Sequence, residues 1–322
     1  MLNVFKALAD ETRLRILGAL AQGDFNVNEI IEIFHMGQSR ISRHLKILAD
    51  SGLVMNRREG NWIYYSLAPQ NGNAELNEAL KLAVRSAQKM TSYADDLQNI
   101  ESVLQRRRTL SKKYFDKVGS EWELMQNEVL DSEHYRQQAL ALLPQHEETV
   151  LDLGVGAGLI LPALFEKCQR IIALDSSPTM LKIASTFLAD NLPVRVSDCE
   201  FRLGEIEHIP LPNRQVDAAI ALMVLHHVAN PADALKEIYR VMQDGGTLVI
   251  ADLMQHNITE MRDKYADLWL GFSPIEMMRW LKTAGFAHVK YEVLRSGELL
   301  KVILFQASKP AVETEFAMNT EN

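Results

Sequence analysis

Cysteine is nearly absent from this chain of 322 residues, with Cys168 and Cys199 alone. Two thiols cannot build a disulfide framework, and their separation lacks the short spacing of a thiolate metal site. Both are therefore expected to be ordinary reduced thiols. Long apolar runs are also missing. No stretch approaches 18 uninterrupted apolar residues, and the opening "MLNVFKALADETRLRIL" is charged within its first turns, so the expectation is neither a signal peptide nor a membrane span, and a cytoplasmic location. What the chain does have is 47% hydrophobic residues, enough to bury real cores, and a length that suggests two domains.

The formal charge of −8 is unevenly spread. Residues 1 to 68 hold eight Lys/Arg against seven Asp/Glu, residues 69 to 118 hold nine against six, and the remainder holds 17 against 29. The front is basic and the back strongly acidic, so the net value says little about the local field at the front.

In "VNEIIEIF", Val27, Ile30, Ile31 and Phe34 recur at helical spacing, and "HMGQ" supplies a turn through Gly37. Ser39 is placed to cap the next helix, "QSRISRHLKILADSG". There Ile41, Leu45 and Leu48 share one stripe, with Ser39, Ser42, Arg43 and Lys46 opposite. Gly52 ends that helix. "LVMNRREGNWIYYSL" then reads as two strands around a basic turn at Arg57, Arg58, Glu59 and Gly60. A basic hairpin beside such a helix is a wing.

Together with "FKALADETRLRIL", the pattern from about 4 to 67 resembles the ArsR/SmtB family of bacterial winged-helix repressors. The resemblance implies double-stranded DNA as partner. Gln38, Ser39, Arg40, Ser42, Arg43, His44 and Lys46 are the implied groove or phosphate contacts, with Arg57 and Arg58 on the wing. His44 flanks the apolar stripe, which points to partial burial. Arg can fork two hydrogen bonds to guanine, whereas Ser and Lys more often fix register on phosphates. Members of the family sense metals through a Cys pair before the reading helix, or through Asp and His after the wing. "NVNEIIEIF" has no Cys and "YADDLQNIESVL" no His, so no metal is expected. Asp95, Asp96 and Glu101 read as a solvated face.

Leu76, Leu80, Ala83, Ala87, Met90, Ala94 and Leu97 alternate steps of four and three, the spacing of a helix–helix seam. A single helix continuing to "QRRR" would make a rod of about 50 Å. Paired with its twin through residues 73–104, it would give a homodimer suited to a near-palindromic operator. The alternative is that the seam packs on its own winged domain. Arg106, Arg107, Arg108, Lys112, Lys113 and Lys117 follow, as a phosphate-reaching cluster or a solvated linker.

Further on, "TVLDLGVGAGL" is an apolar strand running into Asp152 and then Gly154, Gly156 and Gly158. A tight strand-to-helix turn sets backbone N–H groups against a ligand that any Cβ would hold off. Seventeen residues beyond Gly158, "RIIALD" ends in Asp175, where a carboxylate can accept from two vicinal ribose hydroxyls. "RLGEIEHIPLPNRQVDAAIALMVLHHV" and "EIYRVMQDGGTLVIADL" continue the alternation of strand and helix that defines a doubly wound sheet.

As a set, these segments resemble the class I S-adenosylmethionine-dependent methyltransferases over about residues 110 to 307, in preference to an NAD-binding domain. The resemblance implies S-adenosylmethionine or S-adenosylhomocysteine as ligand. Asp152, Gly154 and Gly156 would face its methionine part, with Gly158 completing the turn. Asp175 would meet the ribose, Ser176 and Met180 the adenine surroundings, Glu205 and Ile206 the adenine edge, and Met223 the methionine end. Adjacent His226 and His227 do not make a metal site by themselves, since neighbours on a helix diverge by about 100°. His226 is a candidate substrate contact. Trp269, Leu270, Phe272, Met277, Met278 and Trp280 are either an apolar cover or core. Residues 308–322 lack periodicity and read as a disordered tail.

The expected architecture is thus an N-terminal winged helix-turn-helix over 1–69, mainly α with a β wing, then a connector helix over 70–109 and a C-terminal α/β Rossmann-like class I methyltransferase fold over 110–307. The whole resembles bacterial regulators with an ArsR-type head on a methyltransferase-like body, a group that includes sensors of S-adenosylhomocysteine. The implied function is a repressor that senses an adenosyl metabolite. A working small-molecule methyltransferase tethered to its own repressor is the alternative, and no catalytic residue is assigned. A nucleic-acid or protein methyltransferase lacks an evident acceptor-binding motif.

Overall fold

The structure is a computed structural model and describes residues 1–69, 73–295 and 300–311. The chain divides into two compact units. The first comprises Met1–Ser111, His227–Asn230 and His256–Leu270; the second comprises Lys112–His226, Pro231–Gln255 and Gly271–Asn322. Among the described residues no helix is long and apolar enough to cross a membrane.

The first unit opens with α1 (Leu2–Leu8) and α2 (Glu11–Leu20), the latter capped where the Asp10 side chain accepts from the Arg13 N–H. A short strand, β1 (Phe25–Asn26), leads into α3 (Val27–Phe34). Its N-terminus is closed by a reciprocal box: the Asn26 side chain accepts from the Asn28 and Glu29 N–H groups, and Glu29 accepts from the Asn26 N–H. Next comes α4 (Gln38–Asp50), whose N-cap is Gly37 rather than Ser39, so the Ser39 hydroxyl is not spent on capping.

Gly52 sits at φ +75° and turns the chain into β2 (Val54–Glu59) and β3 (Trp62–Leu67). These strands pair antiparallel from Val54–Leu67 to Glu59–Trp62, so the turn is Gly60–Asn61 and Arg57 to Glu59 lie in the strand, not in the turn expected for them. Tyr65 of β3 also pairs with Phe25, which completes a three-stranded sheet.

The expected rod is two helices, α5 (Ala74–Ala87) and α6 (Tyr93–Val118), with the chain turning between them. Leu80, Ala83 and Ala87 are buried in the unit's own interior, and a Cβ on Gly18 of α2 would lie 2.8 Å from the Ala87 Cβ. The seam therefore packs against its own winged domain. Apolar spacing specifies that a face is covered but not which helix covers it.

The arginine cluster is also not a solvated linker. Arg107 is buried and spends all three guanidinium nitrogens. Nε and Nη2 donate to the Glu29 carboxylate at 2.9 and 2.7 Å, Nη1 to the Ala229 carbonyl at 2.9 Å, and Nη2 also to the Asp24 carbonyl at 3.1 Å. Arg108 is likewise buried and paired with Glu101, and Arg106 pairs with Glu32. Asp96, expected on a solvated face, is buried in a two-pronged pair with Arg15.

In the second unit α7 (Trp122–Asn127) and α8 (Ser132–Leu142) precede the sheet. The chain then alternates β4 (Glu147–Leu153), α9 (Leu161–Leu164), β5 (Cys168–Asp175), α10 (Pro178–Asn191), β6 (Cys199–Leu203), β7 (Val216–Leu222), α11 (Pro231–Val241) and β8 (Met242–Leu253). Helix α12 (Glu260–Tyr265) belongs to the first unit, and α13 (Pro274–Ala284), β9 (Ala287–Arg295) and β10 (Lys301–Ser308) complete the second. The sheet order is β6-β5-β4-β7-β8-β10-β9. All neighbours up to β8 are parallel, and β10 runs antiparallel to both β8 and β9. This is the doubly wound methyltransferase-type sheet. Strand order reverses between β4 and β7, the position where such sheets leave a crevice at their carboxyl ends. Residues 312–322 of the expected tail lie outside the described residues.

Replacing Arg107 with Met would leave Glu29 buried with its charge uncompensated. The expected cost in urea unfolding is about 3–5 kcal/mol, with partial recovery when Glu29→Gln is added.

Candidate functional sites

In the second unit, β4 ends at Leu153 and the chain bends through Gly154, Gly156 and Gly158, all at positive φ. The backbone is pinned to the neighbouring strand, with the Gly154 and Val155 N–H groups donating to the Leu174 carbonyl at 2.8 and 3.0 Å. The glycines serve different ends. A Cβ at Gly158 would lie 2.8 Å from Ala184 of α10, so this glycine permits close helix packing. A Cβ at Gly156 would meet nothing nearer than the Gly154 carbonyl at 3.9 Å, so open space faces that backbone.

Two carboxylates flank the bend. Asp175 closes β5 and accepts from the Gly156 N–H through Oδ2 at 3.0 Å and from the Ser177 N–H through Oδ1 at 2.9 Å. Burial pushes its carboxyl above the ordinary range, and the backbone donors of Ser177, Gly156 and Ser176 oppose that. Asp152 is buried, and its Oδ2 has no hydrogen-bond partner among the described residues. Burial first, and the neighbouring Asp175 second, push its carboxyl up to about 7.

The turns that carry several of the remaining predicted positions are joined to this bend through the backbone or by close packing. The Gly204 N–H donates to the Asp175 carbonyl at 3.0 Å, which brings half-buried Glu205 and buried Ile206 beside it. A Cβ at Gly154 would strike Val224 at 2.3 Å, which places the turn after β7 against the glycines. That turn holds Met223 in the left-handed region at φ +52°, a conformation unfavourable for a side chain of this size. Ser176 is half-buried, and Met180 is buried on α10, whose N-terminus is capped by the Ser177 hydroxyl.

Three polar residues here were not singled out by sequence. Asp116, on α6, accepts from the Ser177 hydroxyl at 2.6 Å. Asp252, fully buried near the end of β8, accepts from the Leu225 N–H through Oδ2 at 2.9 Å, and its Oδ1 lies 2.7 Å from His226 Nδ1. An acidic residue ending the apolar run "TLVIAD", one strand over from "LHH", was the available signal. Asp217 accepts from the Thr149 N–H at 2.8 Å and ties β7 to β4.

The first unit presents α4. Ile41, Leu45 and Leu48 are fully buried, while Gln38, Ser39, Arg40, Ser42, Arg43 and Lys46 are exposed together. Two predicted contacts are placed differently. His44 is buried beside Asp10, 3.6 Å away, and burial holds its imidazole below the usual range, so it is neither exposed nor disposed to carry charge. Arg57 turns inward. Its guanidinium pairs with fully buried Glu59 at 2.8 Å and lies over Tyr64 and Trp269, which leaves Arg58 as the exposed arginine of the hairpin.

These two constructions define the class: a winged helix-turn-helix carrying a methyltransferase-type α/β domain. Residues 10–55 match the family described as bacterial regulatory protein, arsR family, and residues 151–250 match a methyltransferase domain. The chain is 46% identical over 77 residues to the arsenical resistance operon repressor of Bacillus subtilis, covering 24% of this chain and 73% of that protein. It belongs to the arsR family of bacterial regulatory proteins, with a methyltransferase domain fused behind.

On the methyltransferase side it is 31% identical over 178 residues to the malonyl-[acyl-carrier protein] O-methyltransferase of a Marinomonas species, covering 53% of this chain and 59% of that protein. The chain spans about half the length of the relatives it matches there. A chain from the Haloferax volcanii complex of the Trm112 methyltransferase activator with a methyltransferase shares the fold, with a TM-score of 0.51 and 22% identity, covering 61% of this chain and 97% of that one.

With its carboxyl raised in the folded state, Asp152 holds a proton there that the unfolded chain releases near pH 4. Its contribution to stability is fully present below pH 4 and is lost as pH rises through about 7. Asp152→Asn is therefore expected to make the ligand-free chain more stable than wild type at pH 8, on the order of 2–4 kcal/mol, with the gap closing toward pH 4. Urea unfolding across that range measures it.

Proposed function

We propose that this protein is a dimeric transcriptional repressor that binds operator DNA through α4 and Arg58, and whose methyltransferase domain binds S-adenosylmethionine or S-adenosylhomocysteine as a signal. The observation that carries the ligand reading is Asp152, a buried carboxylate with an unpartnered oxygen beside a glycine bend that leaves space at Gly156. A buried, unsatisfied carboxylate is costly, and an ammonium group such as the one both ligands carry offsets that cost. Asp175 suits the ribose hydroxyls, since each of its oxygens accepts one backbone bond and keeps a lone pair. Glu205, Ile206, Met180 and Met223 suit the base and thioether ends. The two candidate ligands differ by one methyl group and one positive charge, so the wall near the sulfur sets the preference. No residue is assigned to a metal.

The DNA reading rests on the exposed face of α4, where Arg40, Arg43 and Lys46 stand clear of the buried stripe. Arg43 serves base readout, and the serines, Gln38 and Lys46 serve register. The dimer uses apolar side chains left uncovered on α1 and α5: Leu2 (68% exposed), Phe5 (59%) and Leu82 (57%). Substituting Phe5 and Leu82 together by Glu is expected to convert the protein to a monomer in sedimentation velocity and to weaken DNA binding at least tenfold.

A second reading, an active small-molecule methyltransferase, is favoured by His226 against Asp252. A carboxylate on Nδ1 fixes the imidazole tautomer and orients the ring, as a group that removes a proton from an acceptor requires. A bound sulfonium would supply the methyl group; alignment and an unprotonated acceptor are then the protein's share.

A duplex selected from random DNA, titrated with the full chain in the presence of each adenosyl compound, tests the proposal. One of the two is expected to change DNA affinity by about 100-fold, equivalent to about 2.7 kcal/mol. Arg43→Ala should cost about 1–3 kcal/mol of DNA affinity while leaving nucleoside binding intact. Asp175→Ala should do the reverse. Unchanged DNA affinity with both compounds, together with methyl transfer to a metabolite, would establish the second reading instead.

A further inference from the structure

Asp116 lies exposed in the last turn of α6, where the partial negative charge of a helix C-terminus disfavours a carboxylate. What it gains there is the Ser177 hydroxyl, from which its Oδ1 accepts at 2.6 Å, a short bond of the kind an ionised acceptor makes. Packing keeps the two side chains in reach. A Cβ at Gly119, just past α6, would lie 3.6 Å from Thr179 and 3.7 Å from Ile183, both on α10. All of these residues belong to the second unit.

Ser177 is fully buried and works in two directions. Its hydroxyl oxygen accepts from the Met180 N–H at 3.2 Å, which closes the start of α10, and its own N–H donates to Asp175 Oδ1 at 2.9 Å. The other Asp175 oxygen accepts from the Gly156 N–H at 3.0 Å. The carboxylate of Asp175 thus has one anchor on the glycine bend and one on Ser177. A serine hydroxyl carries one proton and two lone pairs. With the proton committed to Asp116, the lone pairs are left for Met180, and donation to an anion strengthens that acceptance.

Resting on the ligand reading above, we propose that Asp116 is a positioning residue for the adenosyl site: acting through Ser177, it fixes the orientation of Asp175 and with it the grip on the ribose hydroxyls. A carboxylate that accepts from two vicinal hydroxyls must be held to within about 0.5 Å of its place, so both of its anchors matter. Removing the Asp116 carboxylate leaves a buried hydroxyl without the acceptor that holds it, and the anchor built on that residue loosens. Charge is a separate route between the same two acids. Burial is the main upward push on the Asp175 carboxyl, and the charge of Asp116 adds a small one. The two routes are separable, because asparagine at 116 keeps an oxygen that accepts from Ser177 and loses the charge.

Isothermal titration of the full chain with S-adenosylmethionine and S-adenosylhomocysteine, and with an analogue of the tighter binder that lacks both ribose hydroxyls, tests this. Wild type is expected to bind the parent compound well and the analogue poorly. Asp116→Ala should weaken the parent by about tenfold and the analogue far less. Asp116→Asn should recover most of that loss. Ser177→Ala, which keeps the N–H to Asp175 but not the hydroxyl, should show the same split between parent and analogue, and adding Asp116→Ala to it should cost nothing further. Circular dichroism reports that each variant folds, and the Ser177→Ala split stands by itself if Asp116→Ala does not. Equal losses for parent and analogue, equal losses in the Asn and Ala variants, or a full effect of Asp116→Ala in the Ser177→Ala background each overturn the positioning role and leave the ligand reading intact. A wild-type protein that binds neither adenosyl compound overturns the ligand reading, and the inference with it; one that binds parent and analogue alike removes the ribose role of Asp175, on which the inference depends.

Discussion

The first unit depends on one guanidinium. Arg107 occupies a box formed by Phe25, Tyr64 and Trp269, and its nitrogens reach Glu29, the Asp24 carbonyl and the Ala229 carbonyl. Burial works against its charge, but Glu29, by charge and by hydrogen bond, outweighs it, and the group stays cationic. Glu29 in turn closes the N-terminus of α3. One buried ion pair thus fixes the start of the helix before α4, the position of α6, the base of the hairpin, and a segment that arrives from beyond β7. A hydrophobic contact could bury similar area there, but it would not set direction. The fork of an arginine accepts only partners placed at its corners.

The second unit has a different economy of charge. Asp152 and Asp175 lie at buried strand ends, where burial raises the proton affinity of both, and the charge of Asp175 raises that of Asp152 further. Asp175 is held by the Gly156 and Ser177 N–H groups and belongs to the scaffold of the bend as well as to its chemistry. Asp152 has an oxygen without a partner, so the fold carries an electrostatic debt at one point. Such a point is where a cationic group gains most. Cys168 and Cys199, both buried, have their thiols pushed up to about 12, which keeps them out of nucleophilic chemistry.

Much of this was legible in residue order. The reading helix was visible because its apolar stripe and its polar face are both local, and the buried Ile41, Leu45 and Leu48 follow the pattern directly. The glycine bend was visible because a left-handed backbone at three alternate positions demands that residue. Misread were charged residues whose partners lie far along the chain. Asp96 pairs with Arg15 across 81 positions, Arg107 with Glu29 across 78, and Glu59 with Arg262 across 203. A run of arginines is usually solvated because desolvation is expensive, and only a partner supplied by the fold reverses that expectation. The four-and-three seam left its partner open for a related reason: its periodicity is real, but spacing does not say which helix covers it, and α2 of the same chain covers Ala87.

Sequence by itself determined the two kinds of domain, the order of their elements, the polar face of α4 and the acidic glycine bend, because each depends on contacts within a few residues or on backbone conformations that one residue type alone tolerates. Tertiary structure decided which charges are buried, that Arg57 and His44 turn inward, and that segments after β7 and β8 complete the winged-helix unit. Those outcomes depend on pairings between distant residues. Their free energy exists only once folding removes water from both partners, and no local pattern encodes it.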